Sequence, residues 1–218
     1  MTDESDPLLS GYRRFRGDGW TQARAEYEAL ATEGQHPHTL VVACSDSRAD
    51  PALIFDAAPG QLFVVRNVAN IVPPYQPDGK LHGVSAALEF GVRMLGVKRI
   101  AVMGHALCGG VWAMLNDPPD GCSDFVRPWV AQAEPVVKKA VEGVDDEARR
   151  QKVGEHAVVR LSIDNLRTFP WIAEREKAGE LELIGLHFGI ANGVLWKMQA
   201  DGVFKRLEEP AQGAPDAT

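Results

Sequence analysis

The chain is poor in cysteine, has no long apolar run and carries no surplus of basic charge. Three Cys in 218 residues are too few for a disulfide framework, and the number is odd. They fit a reducing compartment, read here as the cytoplasm. No stretch approaches the ~20 apolar residues of a membrane span. The acidic start (Asp3, Glu4, Asp6) has no apolar segment behind it, so neither a signal peptide nor a membrane partner is expected. Lys and Arg number 23 against 30 acidic residues, a formal charge of −7, which excludes a basic nucleic-acid surface. No Gly-x-Gly-x-x-Gly or phosphate loop follows the first apolar run, so nucleotide binding has no motif to rest on. Internal repeats and low-complexity runs are also missing.

What is present is ordinary for a globular protein: 45% hydrophobic residues, 21 Gly and 14 Pro. Such a chain buries a core without staples. One domain is expected over 8–206, with loose tails at 1–7 and 207–218. Within it, 8–34 has helical rhythm (Tyr12, Phe15, Trp20, Ala23, Tyr27, Leu30) and reads as an N-terminal helical arm, divisible at Gly17–Gly19 into two short helices. The aromatics of this arm would pack on the rest of the fold or on a partner subunit. Apolar runs at 39–43, 62–65, 99–103 and 181–188 read as buried strands. Helical periodicity fills 84–95, closed by Gly96, and 146–168, interrupted by Pro170. The implied fold class is α/β: a mostly parallel central β-sheet flanked by helices, with an N-terminal helical arm.

Two short motifs sit at the ends of predicted strands, where open parallel sheets bind ligands. Cys44-Ser45-Asp46-Ser47-Arg48 follows the first, and His105-Ala106-Leu107-Cys108-Gly109-Gly110 the third. If those strands are neighbours, Cys44, His105 and Cys108 converge. One imidazole and two thiolates make a tetrahedral zinc set with one position left for water, the pattern of a catalytic site. Gly109-Gly110 would let the backbone approach closely before a helix starting near Val111, whose free amides would favour an anion. Arg48 would keep Asp46 ionised and oriented beside the thiolate, able to accept a hydrogen bond from a metal-bound water. Cys122 has no His or Cys nearby and reads as a half-buried bystander. His36 and His38 read as a solvated turn and His156 and His187 as packed rings. His82 is a weak candidate for moving protons.

These motifs resemble those of the β-class carbonic anhydrases, and the similarity runs over roughly 30–205. It includes Pro59-Gly60, Arg66 to Asn70, Ser85 to Phe90 and Gly104 to Gly110. The resemblance implies zinc-dependent, reversible hydration of carbon dioxide to bicarbonate by attack of zinc-bound hydroxide. Cys44, His105 and Cys108 would ligate one Zn²⁺ per chain, and Asp46 with Arg48 would orient or gate the fourth position. Finer similarity to the plant-like subgroup implies substrate contacts from Gln35, Phe63, Val68 and Phe90, with backbone amides near Gly109. Phe90 stands where Tyr is common, and Val41 stands where a bicarbonate-inhibited subgroup has Trp. The family also implies a homodimer, or a larger oligomer of dimers, with the helical arm embracing the partner. Two alternatives remain open to the residues: a hydrolase of carbonyl sulfide or carbon disulfide, and a noncatalytic zinc or anion module with Asp46 as permanent fourth ligand.

Overall fold

The computed structural model describes residues 6–116 and 121–207. Of the tails expected at 1–7 and 207–218, residues 1–5 and 208–218 lie outside the described residues, as does most of the turn around Pro118-Pro119; the Leu207 amide bonds to the Leu195 carbonyl. Pro7 does not belong to a tail: it opens helix α1 (Pro7–Arg14), whose N-cap Asp6 accepts from the amides of Leu8 and Leu9.

Four strands pair in parallel, β1 (Thr39–Cys44), β2 (Leu62–Asn67), β3 (Arg99–His105) and β4 (Glu182–Phe188). The sheet order is β2-β1-β3-β4, extended by two short antiparallel strands, β5 (Leu195–Met198) and β6 (Phe204–Arg206). Neither of these last two was expected. Their residues are half-buried or exposed, so they lack the apolar run that marks a central strand.

β1 and β3 are continuously apolar because both sheet faces are covered. On one face Leu40, Val42, Ile100 and Val102 pack against α4 (Gly83–Glu89), α8 (Glu147–Leu166) and α9 (Pro170–Lys177) through Leu88, Val159, Ile163 and Ile172. On the other, Val41, Ala43, Ala101 and Met103 meet Ile54 and Phe55 beside α3 (Pro51–Ile54). A third cluster caps the carboxyl ends of β1 and β3. There Cys44 and Cys108 pack with Val111 and Met114 of α5 (Gly109–Leu115), Val130 of α6 (Val126–Ala131) and Val137 of α7 (Glu134–Ala140).

Three expectations need correction. The arm does not break at Gly17–Gly19: a π turn (Phe15–Gly19) joins α1 to α2 (Trp20–Glu33), with the Trp20 amide bonded to the Phe15 carbonyl. Pro170 does not merely interrupt a helix, because it occupies the first turn of α9, where a missing N–H costs nothing. α5 begins at Gly109 rather than near Val111. The arm has no fully buried residue in either helix, and Leu8, Tyr12 and Phe15 are exposed. No helix among the described residues is long and apolar enough to cross a membrane.

Candidate metal centre and active site

β1 and β3 are direct neighbours, with Thr39 to Ala43 registered on Arg99 to Met103. Cys44 and His105 end these strands, and Cys108 follows one turn later, so all three arrive at one carboxyl edge. Their ligand atoms lie within 4.8 Å of one another, and all three residues are buried. The two sulfurs are 3.9 Å apart. With Zn–S bonds of ~2.3 Å and tetrahedral angles, two thiolates on one zinc sit roughly 3.8 Å apart.

Hydrogen bonds prepare each ligand. Nδ1 of His105 bonds to the Ala106 carbonyl at 2.9 Å, so Nδ1 carries the proton and Nε2 presents its lone pair. That Nε2 is buried and has no hydrogen-bond partner, which is costly for a polar atom unless a metal receives it. Backbone amides of Asp46 and Ala69 bond to Cys44, and those of Gly110 and Val111 to Cys108. The free amides expected at the start of α5 are thus engaged by the Cys108 sulfur. Without metal the two thiols share a proton: the hydrogen bond from Cys108 brings Cys44 down to about 4, and the same contact together with burial pushes Cys108 up. Burial works against a charged His105, but the neighbouring Cys44 and the Ala106 carbonyl leave its pKa raised.

Asp46 and Arg48 form a two-pronged pair: Nε donates to Oδ1 at 2.9 Å and Nη2 to Oδ2 at 2.7 Å. The guanidinium holds the Asp46 carboxyl far below the usual carboxylate range. Arg48 also donates to the Leu107 carbonyl at 3.2 Å, tying the two motif turns together. Oδ2 of Asp46 stands 3.9 Å from Nε2 of His105, over the metal set. Arg66, which sequence reasoning did not single out, fixes this loop by donating to the carbonyls of Cys44 and Asp46 and to the Asp50 carboxylate. Its sequence signals were its place in the segment Arg66 to Asn70 and a charge at the end of an apolar strand.

Val68 and Gly109 lie beside the metal set. A Cβ on Gly110 would meet Val68 and Ala69 side chains at 2.8 Å, whereas one on Gly109 would meet nothing within 4 Å. The close approach expected of the Gly pair therefore belongs to Gly110. The Val68 carbonyl accepts from the Trp129 indole at 2.8 Å. A cavity of about 570 Å³ lined by Leu107, Gly109, Trp112 and Gln151 opens beside Cys108. The remaining expected substrate contacts are elsewhere in the chain. Phe63 pairs in register with Leu40, four residues before Cys44, or ~13 Å along the strand. Phe90 stacks on Phe63 at 5.7 Å. Gln35 is exposed and precedes β1 altogether. One chain does not bring these three to its own metal centre.

A match to the family model described as carbonic anhydrase spans residues 39–195. The chain belongs to the β-class carbonic anhydrases. It is 36% identical over 210 residues to a carbonic anhydrase of Pseudomonas aeruginosa, covering 94% of this chain and 91% of that one. The β-carbonic anhydrase CcaA superposes with a TM-score of 0.83 at 30% identity, covering 93% of this chain and 91% of that one. A β-carbonic anhydrase from Sordaria macrospora, described as tetrameric, gives 0.78 at 31% identity, covering 88% and 95%. As a carbonic anhydrase the chain is a carbonate dehydratase, and zinc is its cofactor.

Behind the ligands of this carbonic anhydrase lies a buried polar cluster. Glu155 of α8 bonds to the His187 ring at 2.9 Å, and the His156 ring stands 4.6 Å from that of His187 and stacks on Phe204. Burial above all, with the nearby His187, Lys152 and Arg160, holds His156 down to about 3. The ring is neutral when folded, with Nε2 unpartnered. Its stability contribution is therefore complete above the ordinary value near 6.5 and declines as pH falls toward 3, by at most about 1.4 kcal/mol per pH unit. His156→Phe, which keeps the stack on Phe204, is expected to gain about 4 °C in Tm relative to the parent on going from pH 8 to pH 5. A difference that stays constant across that range contradicts the assignment.

Proposed function

We propose that the chain hydrates carbon dioxide reversibly at a zinc ion held by Cys44, His105 and Cys108, with Asp46 and Arg48 as the pair that orients the reacting water. The observation that carries this reading is the unpartnered, buried Nε2 of His105 beside two sulfurs at zinc-like separation, under an Asp46 carboxylate. Zinc there supplies a Lewis acid that draws the pKa of a coordinated water toward neutrality, less far than at a three-His site because two thiolates offset its charge.

Arg48 engages both oxygens of Asp46, which supports an open site rather than one closed by Asp46 as fourth ligand. Asp46 is ionised throughout the neutral and alkaline range, so it accepts a hydrogen bond there and never supplies the titrating proton. The apolar wall beside the site includes Val68, against which Gly110 packs, and Gly109 opens α5 next to Cys108. Gln35, Phe63 and Phe90 complete the substrate pocket of a second copy. The exposed Leu8, Tyr12 and Phe15 of the arm support a homodimer or an oligomer of dimers. Free Cys44 and Cys108 support a reducing, cytoplasmic setting.

Stopped-flow hydration of carbon dioxide, with zinc content measured before and after chelation, tests this. The expected result is one zinc per chain, activity lost with the metal and restored by zinc alone, and a rate that rises into the alkaline range. Zinc-loaded protein without hydration activity would overturn it, and preference for carbonyl sulfide would redirect the substrate assignment.

A further inference from the structure

The third ligand sits on an awkward backbone. Leu107, just before Cys108, adopts φ +58°, a left-handed conformation that disfavours a branched side chain. Its side chain is 63% exposed, so little packing of its own holds it there. Something else must keep the turn in shape.

Side chains of α8 reach both polar groups of the Cys108 backbone. The Cys108 amide donates to Oε1 of Glu155 at 3.1 Å. The Cys108 carbonyl accepts from Nε2 of Gln151 at 3.0 Å, and the same Nε2 lies 2.8 Å from Oε1 of Glu155. Gln151 and Glu155 are four residues apart, hence on one helix face. Oε2 of Glu155 bonds to Nε2 of His187 on β4 at 2.9 Å. A carboxylate only 3% exposed is costly to bury, and here three donors satisfy it. Position 155 also lies on a buried face of α8 with Val158 and Ser162, where a leucine would serve packing alone.

We infer that Gln151 and Glu155 are positioning residues that clamp the Cys108 backbone so that its sulfur stays in the ligating position. The inference rests on the zinc reading above. Arg48 holds the preceding Leu107 carbonyl, so the strained turn is gripped on both sides. Removing Glu155 frees the Cys108 amide, and removing Gln151 leaves the Cys108 carbonyl to the Trp112 amide alone; either lets the turn relax toward ordinary dihedrals, carrying the sulfur away from Cys44 and His105. The effect falls first on metal retention, because neither α8 side chain is itself a ligand.

The test uses zinc-loaded Gln151→Ala, at a half-buried helix position that tolerates truncation, and Glu155→Gln, which keeps the shape of the side chain. Zinc transfer to a chromogenic chelator is expected to accelerate about 10- to 100-fold, the usual scale for groups that orient metal ligands. In the cobalt(II)-loaded variants the thiolate-to-metal absorption band should shift or weaken. Metal-free Gln151→Ala should melt within about 2 °C of metal-free parent, which a merely structural role would not allow. Zinc release within twofold of the parent in both variants overturns the clamp, as does a Gln151→Ala loss of Tm that is equal with and without metal. Parent protein that takes up no zinc sinks the metal reading and the clamp together, whereas a zinc-loaded, active parent with unchanged release in the variants sinks the clamp alone.

Discussion

Cys44→Ala is expected to purify without zinc and to hydrate carbon dioxide no faster than buffer. The side chain ends β1, 3.9 Å from the Cys108 sulfur, and contributes one of the three donors brought together among the described residues. Two remaining donors leave zinc with an incomplete, exchangeable set. Loss of the metal removes several kcal/mol of transition-state stabilisation, so activity should fall at least about a thousandfold. Folding should survive, since the change deletes one small buried atom and leaves the sheet register intact. Circular dichroism checks that point, and metal analysis with stopped-flow assay checks the rest. Cys122→Ala is the control, because Cys122 is half-buried and outside the metal set; it should keep zinc and activity. A Cys44→Ala protein with parental zinc would refute the ligand assignment.

Asp46→Asn is expected to keep its zinc and lose about 100-fold or more in kcat, within the range of a positioned proton-handling group. The amide supplies one acceptor oxygen in place of two, while Arg48 continues to present Nε and Nη2. One guanidinium donor then faces an NH₂ group and the pair must separate. Because Arg48 keeps the native carboxyl ionised far below neutrality, the variant should be slower at every working pH. The midpoint of its pH–rate profile should not move. Arg48→Lys should mimic it in part, since an ammonium cannot make the two-pronged contact. Activity of Asp46→Asn within threefold of the parent would remove Asp46 from the mechanism.

The sheet and the metal set were legible in the sequence for one shared reason. Central parallel strands are buried on both faces, so 39–43 and 99–103 stand out as unbroken apolar runs, and chemistry collects where they end. Cys44 and His105 therefore announce themselves at strand ends. The rest was hidden by equally physical causes. β5 and β6 are short and lie toward the solvated edge, with no run to detect. α6 and α7 are short and carry Pro128 and Pro135, residues that weaken any helical signal although Pro135 occupies a first helical turn. Gln35 in the loop before β1, Phe63 on β2 and Phe90 at the end of α4 lie away from their own metal centre, and no local pattern announces that. Glu155 offered a signal that went unread: a carboxylate on the buried stripe of a helix demands partners.

The ligand set also joins distant parts of the chain, since Cys44 and Cys108 are 64 residues apart. It exists only when β3 lies on β1 with Ala43 beside Met103. A slip of one residue would turn the side chains of β3 to the opposite faces and take His105 with them. Zinc therefore acts as a proofreader of strand alignment, rewarding a single pairing among those available to two apolar ribbons. Its binding energy is available only to that pairing, and at a thousandfold excess over Kd it adds about 4 kcal/mol to the folded state. Metal supply thus sets the rate of the reaction and widens the margin by which the correct pairing outcompetes the others.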